Sequence, residues 1–224
     1  MKKITGAEKK RIITFLFIIL IQFTHCNSVY TSKKKGYFNI DLPSHTYLRH
    51  DQAGYPYTFE YPSYAVPVKD SIYFDSTPEN DYWINIDFPQ FEARIFLSYK
   101  IIGGKSVYKL KNSDGSYRDS IGINQFDKMV NDAFNLTNKN EAVATSIKDS
   151  LFNTNNNVTG VFFKVGGNAA TSTQFFLSDS TRHFLRGALY FSATPNADSI
   201  KPVQDFLDED IKHLINTFRW KESK

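Results

Sequence analysis

Between Tyr82 and Ile102 the side-chain character switches at every second residue, and no other feature of the 224-residue chain restricts its fold so sharply. Tyr82-Trp83-Ile84-Asn85-Ile86-Asp87-Phe88-Pro89 alternates aromatic or apolar residues with polar ones, and Arg94 to Ile102 does the same after a break at Pro89-Gln90-Phe91. Period-two alternation sends successive side chains to opposite faces of a strand, so one face is core and Asn85 with Asp87 share the other. The two runs suit a β-hairpin. Residues 36–42 and 57–61 are also aromatic and β-branched, and each run ends at a proline, Pro43 or Pro62, as strands and their exits do. Gly103-Gly104 and Asp114-Gly115 mark turns. Further on, residues 158–165, 173–177 and 184–193 are strand-like runs separated by Gly166-Gly167-Asn168 and Asp179-Ser180-Thr181, the pattern of an antiparallel meander.

Helical spacing enters at Asn124. Phe126, Met129, Val130 and Phe134 share one face, which predicts a helix of about three turns. A second, weaker helix is predicted over 140–151, and the polar run 153–157 reads as a loop. The strongest helix covers 199–219, where Val203, Leu207, Ile211, Leu214 and Phe218 trace a stripe interrupted only by Asp210. Pro202 suits its first turn, where a missing backbone N–H costs nothing, and Asp205 favours the N-terminal half. With 41% apolar and 22% charged residues, no internal repeat and no break in composition after residue 36, the expectation is one α+β domain over 36–224, an antiparallel sheet covered by helices.

The first 25 residues read as an export signal. Lys2, Lys3, Lys9, Lys10 and Arg11 precede an apolar run from Ile12 to Thr24, which is too short for a spanning helix. Cys26, the sole cysteine, follows directly, where bacterial lipoproteins carry the thiol that forms a diacylglyceryl thioether. Around it Phe23-Thr24-His25-Cys26 matches a lipobox loosely, with His25 where a small residue is usual and Phe23 where leucine is usual. Three outcomes fit this terminus: a lipoprotein anchored at Cys26, an ordinary secreted protein, or an uncleaved anchor. The position of the only cysteine favours the first. Residues 27–35 are polar, end in Lys33-Lys34-Lys35, and read as a flexible tether. The formal charge of +4 resides in the leader and tether, since from Gly36 onward there are 19 basic and 22 acidic residues. Nucleic acid therefore finds no electrostatic footing on the body.

Catalytic signatures are absent from the sequence. It contains no glycine-rich nucleotide motif, zinc-protease helix, nucleophile elbow or paired-cysteine metal motif, so no catalytic residue, cofactor or metal ligand is expected. His45 and His50 are read as loop residues whose only near carboxylate is Asp51, His213 as a boundary residue of the last helix, and Asp208-Glu209-Asp210 as a solvated face. One dense polar constellation remains, Asp179-Ser180-Thr181-Arg182-His183 with Arg186. Consecutive strand positions alternate faces, so Ser180 and His183 are poorly disposed as nucleophile and base. The first three residues are expected to shape a turn, and the two arginines to offer donors to an internal or a partner carboxylate. Candidate partner-binding residues are Asn168, Gln174, Arg182, His183 and Arg186.

Gly36-Tyr37-Phe38-x-Ile40-x-Leu42-Pro43, Tyr57-Thr58-Phe59-Glu60-Tyr61-Pro62, the run from Trp83 to Pro89, Leu97-Ser98-Tyr99-Lys100 and above all the run from Gly167 to Phe191 resemble the gliding-motility lipoprotein GldD family of Bacteroidetes. The resemblance implies a lipoprotein facing the periplasm, required for gliding and for the type IX secretion apparatus tied to it, with no known enzymatic activity. It implies a lipid on Cys26, partners among the other gliding and secretion proteins, and attachment to a membrane. It also implies cysteines in relatives where this chain has Tyr55 and Tyr82, so any disulfide that joins those strands in relatives cannot form here. A weaker resemblance is to the Mog1/PsbP-type α/β/α sandwich, a fold that mostly assists assemblies. The alternatives are a hydrolase of envelope polymer using His183 with a carboxylate from another strand, or a small-ligand carrier.

Overall fold

The computed structural model describes residues 6–7, 40–69, 78–192 and 197–222; the leader, Cys26 and the tether lie outside the described residues. Asn39–Lys224 forms one compact unit. In chain order its elements are β1 (Tyr47–His50), β2 (Tyr57–Pro62), β3 (Val66–Lys69), β4 (Ile84–Phe88), β5 (Ala93–Ile101), β6 (Lys105–Lys111), β7 (Tyr117–Ile123), α1 (Phe126–Asn138), β8 (Ala144–Asn153), β9 (Thr159–Gly167), β10 (Thr173–Ser178), β11 (His183–Phe191), α2 (Ala197–Thr217) and β12 (Arg219–Trp220).

The hairpin β4–β5, joined by a 3₁₀ turn at Pro89–Phe91, and the meander β9–β10–β11 form as the alternation predicts. They merge because β11 pairs with β5 along its whole length, from His183 opposite Ile101 to Phe191 opposite Ala93. The result is a seven-stranded sheet in the order β3-β4-β5-β11-β10-β9-β8, with every neighbouring pair antiparallel. Ile95, Leu97 and Tyr99 of β5, Phe175 and Leu177 of β10, and Leu185 and Leu189 of β11 face a core completed by Leu207, Ile211 and Leu214 of α2 and by Tyr57 and Phe59 of β2. β2 belongs to a small sheet of order β1-β2-β12 lying on that side. On the opposite face Val161, Phe163, Phe176 and Phe184 pack under Met129 and Ala133 of α1. Helices thus cover both faces of one antiparallel sheet, and the fold is a single α+β domain.

Several expectations are corrected. Ile40 to Leu42 carry no strand; alternation without a neighbour to pair with leaves the segment irregular, and the Gln90 amide takes the Asp41 carbonyl instead, at 2.9 Å. The first strand is β1, a stretch read as loop. Residues 140–151 are not a helix, because α1 ends at Asn138, the Asn140 amide bonds back to the Thr137 carbonyl, and the chain then pairs with the open edge of β9. α2 begins two residues earlier than expected, which moves Pro202 out of the first turn. Asn85 is buried, not solvated, because the sheet is covered on both sides. The hairpin β6–β7, paired from Lys105 opposite Ile123 to Lys111 opposite Tyr117, was legible only as its turns.

Candidate functional site

The turn between β10 and β11 is built by side chains that replace missing ladder bonds. Asp179 Oδ1 accepts the backbone N–H groups of Thr181, Arg182 and His183, at 3.1, 2.8 and 2.8 Å. Ser178 Oγ donates to the His183 carbonyl at 2.6 Å and accepts the Ser180 N–H at 2.8 Å, while Ser180 takes a left-handed conformation. Burial would push the Asp179 carboxyl up, but the three backbone donors outweigh it and the group sits below the ordinary carboxylate range.

His183, the first residue of β11, turns its ring toward the α2 side. There it stacks on Trp220, with centroids 4.9 Å apart, and its Nδ1 lies 2.7 Å from the Tyr99 hydroxyl. Burial, helped by Tyr82, pushes the Tyr99 phenol up to about 12, so it stays protonated and shares one hydrogen bond with Nδ1. Burial lowers the His183 pKa, which Asp179 opposes and Arg182 reinforces. The neutral ring has a phenol at Nδ1 and an aromatic face against it. Among the described residues no carboxylate forms a hydrogen bond or ion pair with the ring, whose polar partner is the Tyr99 hydroxyl.

Tyr99 and His183 line a cleft of about 770 Å³ whose walls include Tyr55, Tyr82, Arg182 and Lys221. Lys221 is held by Asp51 at 2.5 Å and by the Gln52 carbonyl at 2.9 Å. Tyr55 and Tyr82 meet edge to face with centroids 5.6 Å apart. The cleft offers phenol rings and hydroxyls for stacking and hydrogen bonding, with cations at its rim.

The five residues singled out in the sequence do not share one surface. Arg182 is exposed, in the turn and not on the strand, and lines the cleft with His183. Gln174 and Arg186 face the other side of the sheet, where the guanidinium donates to the Gln174 carbonyl oxygen and the amide donates to Thr171 Oγ1 at 3.0 Å. Arg186 also lines a small pocket of about 190 Å³ beneath α1 with Trp83, Lys100 and Asp132. Asn168 is exposed on the loop after β9.

The sequence profile described as "Gliding motility lipoprotein GldD" matches residues 27–220, which includes every strand and helix of the body and the turn at His183. The chain belongs to the gliding motility lipoprotein GldD family. A member of this family is a membrane-anchored lipoprotein of the cell envelope with a gliding-related function, and the family is not a known enzyme class. No curated protein matches the chain. Among solved structures, the solution structure of cyanobacterial PsbP (CyanoP) from Synechocystis is similar at 11% identity and a TM-score of 0.42, over 82% of this chain and 98% of that one. Among the described residues no helix is long and apolar enough to cross a membrane.

The sequence missed the polar network on the inner side of α2. Asp208 and Asp210 are buried; only Glu209 of the trio is solvated. Asp208 accepts from Thr173 Oγ1 at 2.6 Å and pairs with Lys164, and Asp210 takes three partners described below. His45 joins it from 165 residues away, and His213 bonds Glu60 at 2.7 Å while stacking on Tyr47. The one usable sign was Asp210 itself, a carboxylate inside an apolar stripe.

Proposed function

We propose that the chain is a periplasm-facing lipoprotein, anchored through Cys26, with a tether over 26–35 and a globular body over 36–224. It acts without catalysis, as an accessory factor that binds or stabilises components of the gliding motility and type IX secretion machinery. The observation that carries this reading is the family match over 27–220, and the enclosure of His183 by Tyr99 and Trp220 instead of a carboxylate supports a binding role over a hydrolytic one. Within the segment from Asn168 to Gly187, Arg182 and Asn168 meet the partner directly, whereas Gln174, Arg186 and His183 hold the shape of that surface.

Deletion of the gene is expected to abolish spreading of the host and release of type IX cargo, both restored by the intact gene. Normal spreading together with normal cargo release sinks the reading. A second reading, capture of a small ligand, is favoured by the tyrosine-lined cleft. It predicts that Tyr55→Ala fails to complement while remaining folded and anchored, whereas Arg182→Glu complements.

A further inference from the structure

The hairpin β6–β7 exposes several large apolar side chains close together. Strand pairing sets Lys105, Val107, Lys109 and Lys111 beside Ile123, Ile121, Asp119 and Tyr117 on a single face. Val107, Tyr117, Ile121 and Ile123 on that face are 56, 63, 71 and 64% exposed. Such a concentration of uncovered β-branched and aromatic side chains marks an interaction surface. The opposite face is partly engaged by the body and by the hairpin itself, with Tyr108 46% and Leu110 37% exposed, less than the four apolar residues of the first face. Ser106 Oγ reaches Glu79 at 3.4 Å, Glu79 holds Lys100 at 2.7 Å, and the Tyr108 ring covers Gly122 so closely that a Cβ there would lie 2.8 Å from it. At its root the hairpin is fixed to the body by the Gly103 N–H to the Asn124 carbonyl and the Asn124 N–H to the Gly104 carbonyl.

Charge distinguishes the occupant. Residues 105–123 carry four basic and two acidic side chains, while the remainder of the body from Gly36 has 15 basic and 20 acidic. On the exposed face three lysines alternate with or flank the apolar residues, and Asp119 is the single acid. The face is about 23 Å long for seven paired residues, and combines apolar side chains able to enter an acyl boundary with ammonium groups able to meet phosphates.

We propose that this face of β6–β7 docks on an anionic phospholipid surface, with Val107, Ile121 and Ile123 entering the interface and Lys105, Lys109 and Lys111 pairing with lipid phosphates. The proposal rests on the reading that the chain is held to a membrane at Cys26, since an acyl anchor keeps the body close to a bilayer and the hairpin then fixes its orientation. A basic and apolar patch on the same chain as an acyl anchor is the two-signal arrangement that gives stable attachment.

The test uses the full chain carrying Ile121→Trp, added to vesicles of phosphatidylcholine alone or mixed with phosphatidylglycerol, and reads the added indole's emission and its quenching by brominated acyl chains. A blue shift and quenching on the anionic vesicles only, in both the acylated chain and its Cys26→Ser form, is the expected result. For the Cys26→Ser form, changing Lys105, Lys109 and Lys111 to Gln should lower partitioning about 100-fold, and Ile123→Ser about tenfold. Circular dichroism of these exposed-site variants should match that of the parent. An acylated chain that binds vesicles with no change at the indole overturns the hairpin inference and leaves the anchor standing. Partitioning of the Cys26→Ser form equal to that of the acylated chain sinks the anchor reading and supports the hairpin. Equal insertion into neutral vesicles, indifference to the lysine changes, or a blue shift without lipid that tracks dimer formation in sedimentation would each overturn the proposal, the last in favour of a second copy of this chain.

Discussion

Asp210 is 1% exposed, in the middle of a helix face that is otherwise apolar. A carboxylate there survives only because donors converge on it: the Tyr47 hydroxyl at 3.0 Å, the Tyr64 hydroxyl, and His45 Nδ1 at 2.7 Å. Burial and then the bond to Asp210 push the Tyr47 phenol up to about 12, and the same causes push Tyr64 up further, so both remain donors. His45 stacks on Phe206 and Tyr47 on His213, so the network pins the segment before β1 to α2. Removing the acceptor strands several donors at once, and Asp210→Ala should lower the unfolding free energy by about 3 kcal/mol in urea titrations. Tyr64→Phe, which removes one donor and leaves two, should cost about 1 kcal/mol. A loss under about 0.5 kcal/mol for Asp210→Ala, the range of ordinary surface changes, would mean the network contributes nothing.

Strands β9 and β10 approach so closely at Gly160 that a Cβ would fall 2.0 Å from the Phe176 carbonyl oxygen and 2.7 Å from the Phe152 ring. The oxygen belongs to the ladder and cannot yield without breaking it. Gly160→Ala should therefore destabilise by about 2 kcal/mol or more, a fall of ~4 to 8 °C in Tm by calorimetry, and an unchanged Tm would refute the close approach. Elements of this kind, buried on a face with a clear period, were legible in advance: β2, β4, β5, the meander and both helices announce themselves by which residues must avoid water. Elements that bury little were not. β8 is an edge strand whose Leu151 is 85% exposed, so its pattern carried no alternation; β6–β7 hid its strands because its apolar residues face outward. At the candidate site the turn from Asp179 to His183 was readable, since its bonds are local. Tyr55, Tyr99 and Lys221 reach the same cleft only through long-range pairing of β11 with β5 and of β12 with β2, which no local pattern encodes.

Two histidines link the stability of the whole body to pH. His50 lies against Tyr55 and Phe59 and His183 against Tyr99 and Trp220, and burial lowers both pKa values from the ordinary 6.5. Lys221 adds to the effect at His50 while Asp51 opposes it; Arg182 and Asp179 act in the same opposed senses at His183. In the unfolded chain each imidazole takes up its proton as pH falls through about 6.5, whereas the folded chain takes it up only at lower pH. Between those points the unfolded state binds more protons, so stability rises with pH and is lost on acidification. Asp179, held below its ordinary range by backbone donors, adds a further loss at lower pH as it protonates. Urea midpoints should accordingly be flat above about pH 7.5 and decline from about pH 6.5 downward. The double variant His50→Phe, His183→Gln keeps an aromatic ring in the first position and an acceptor for the Tyr99 hydroxyl in the second, and should flatten the decline between about pH 6.5 and 5 while leaving the steeper loss at lower pH. An undiminished slope in that variant would assign the acid sensitivity to the carboxylates alone, and would mean that the folded body accepts a proton on both rings as readily as the unfolded chain does.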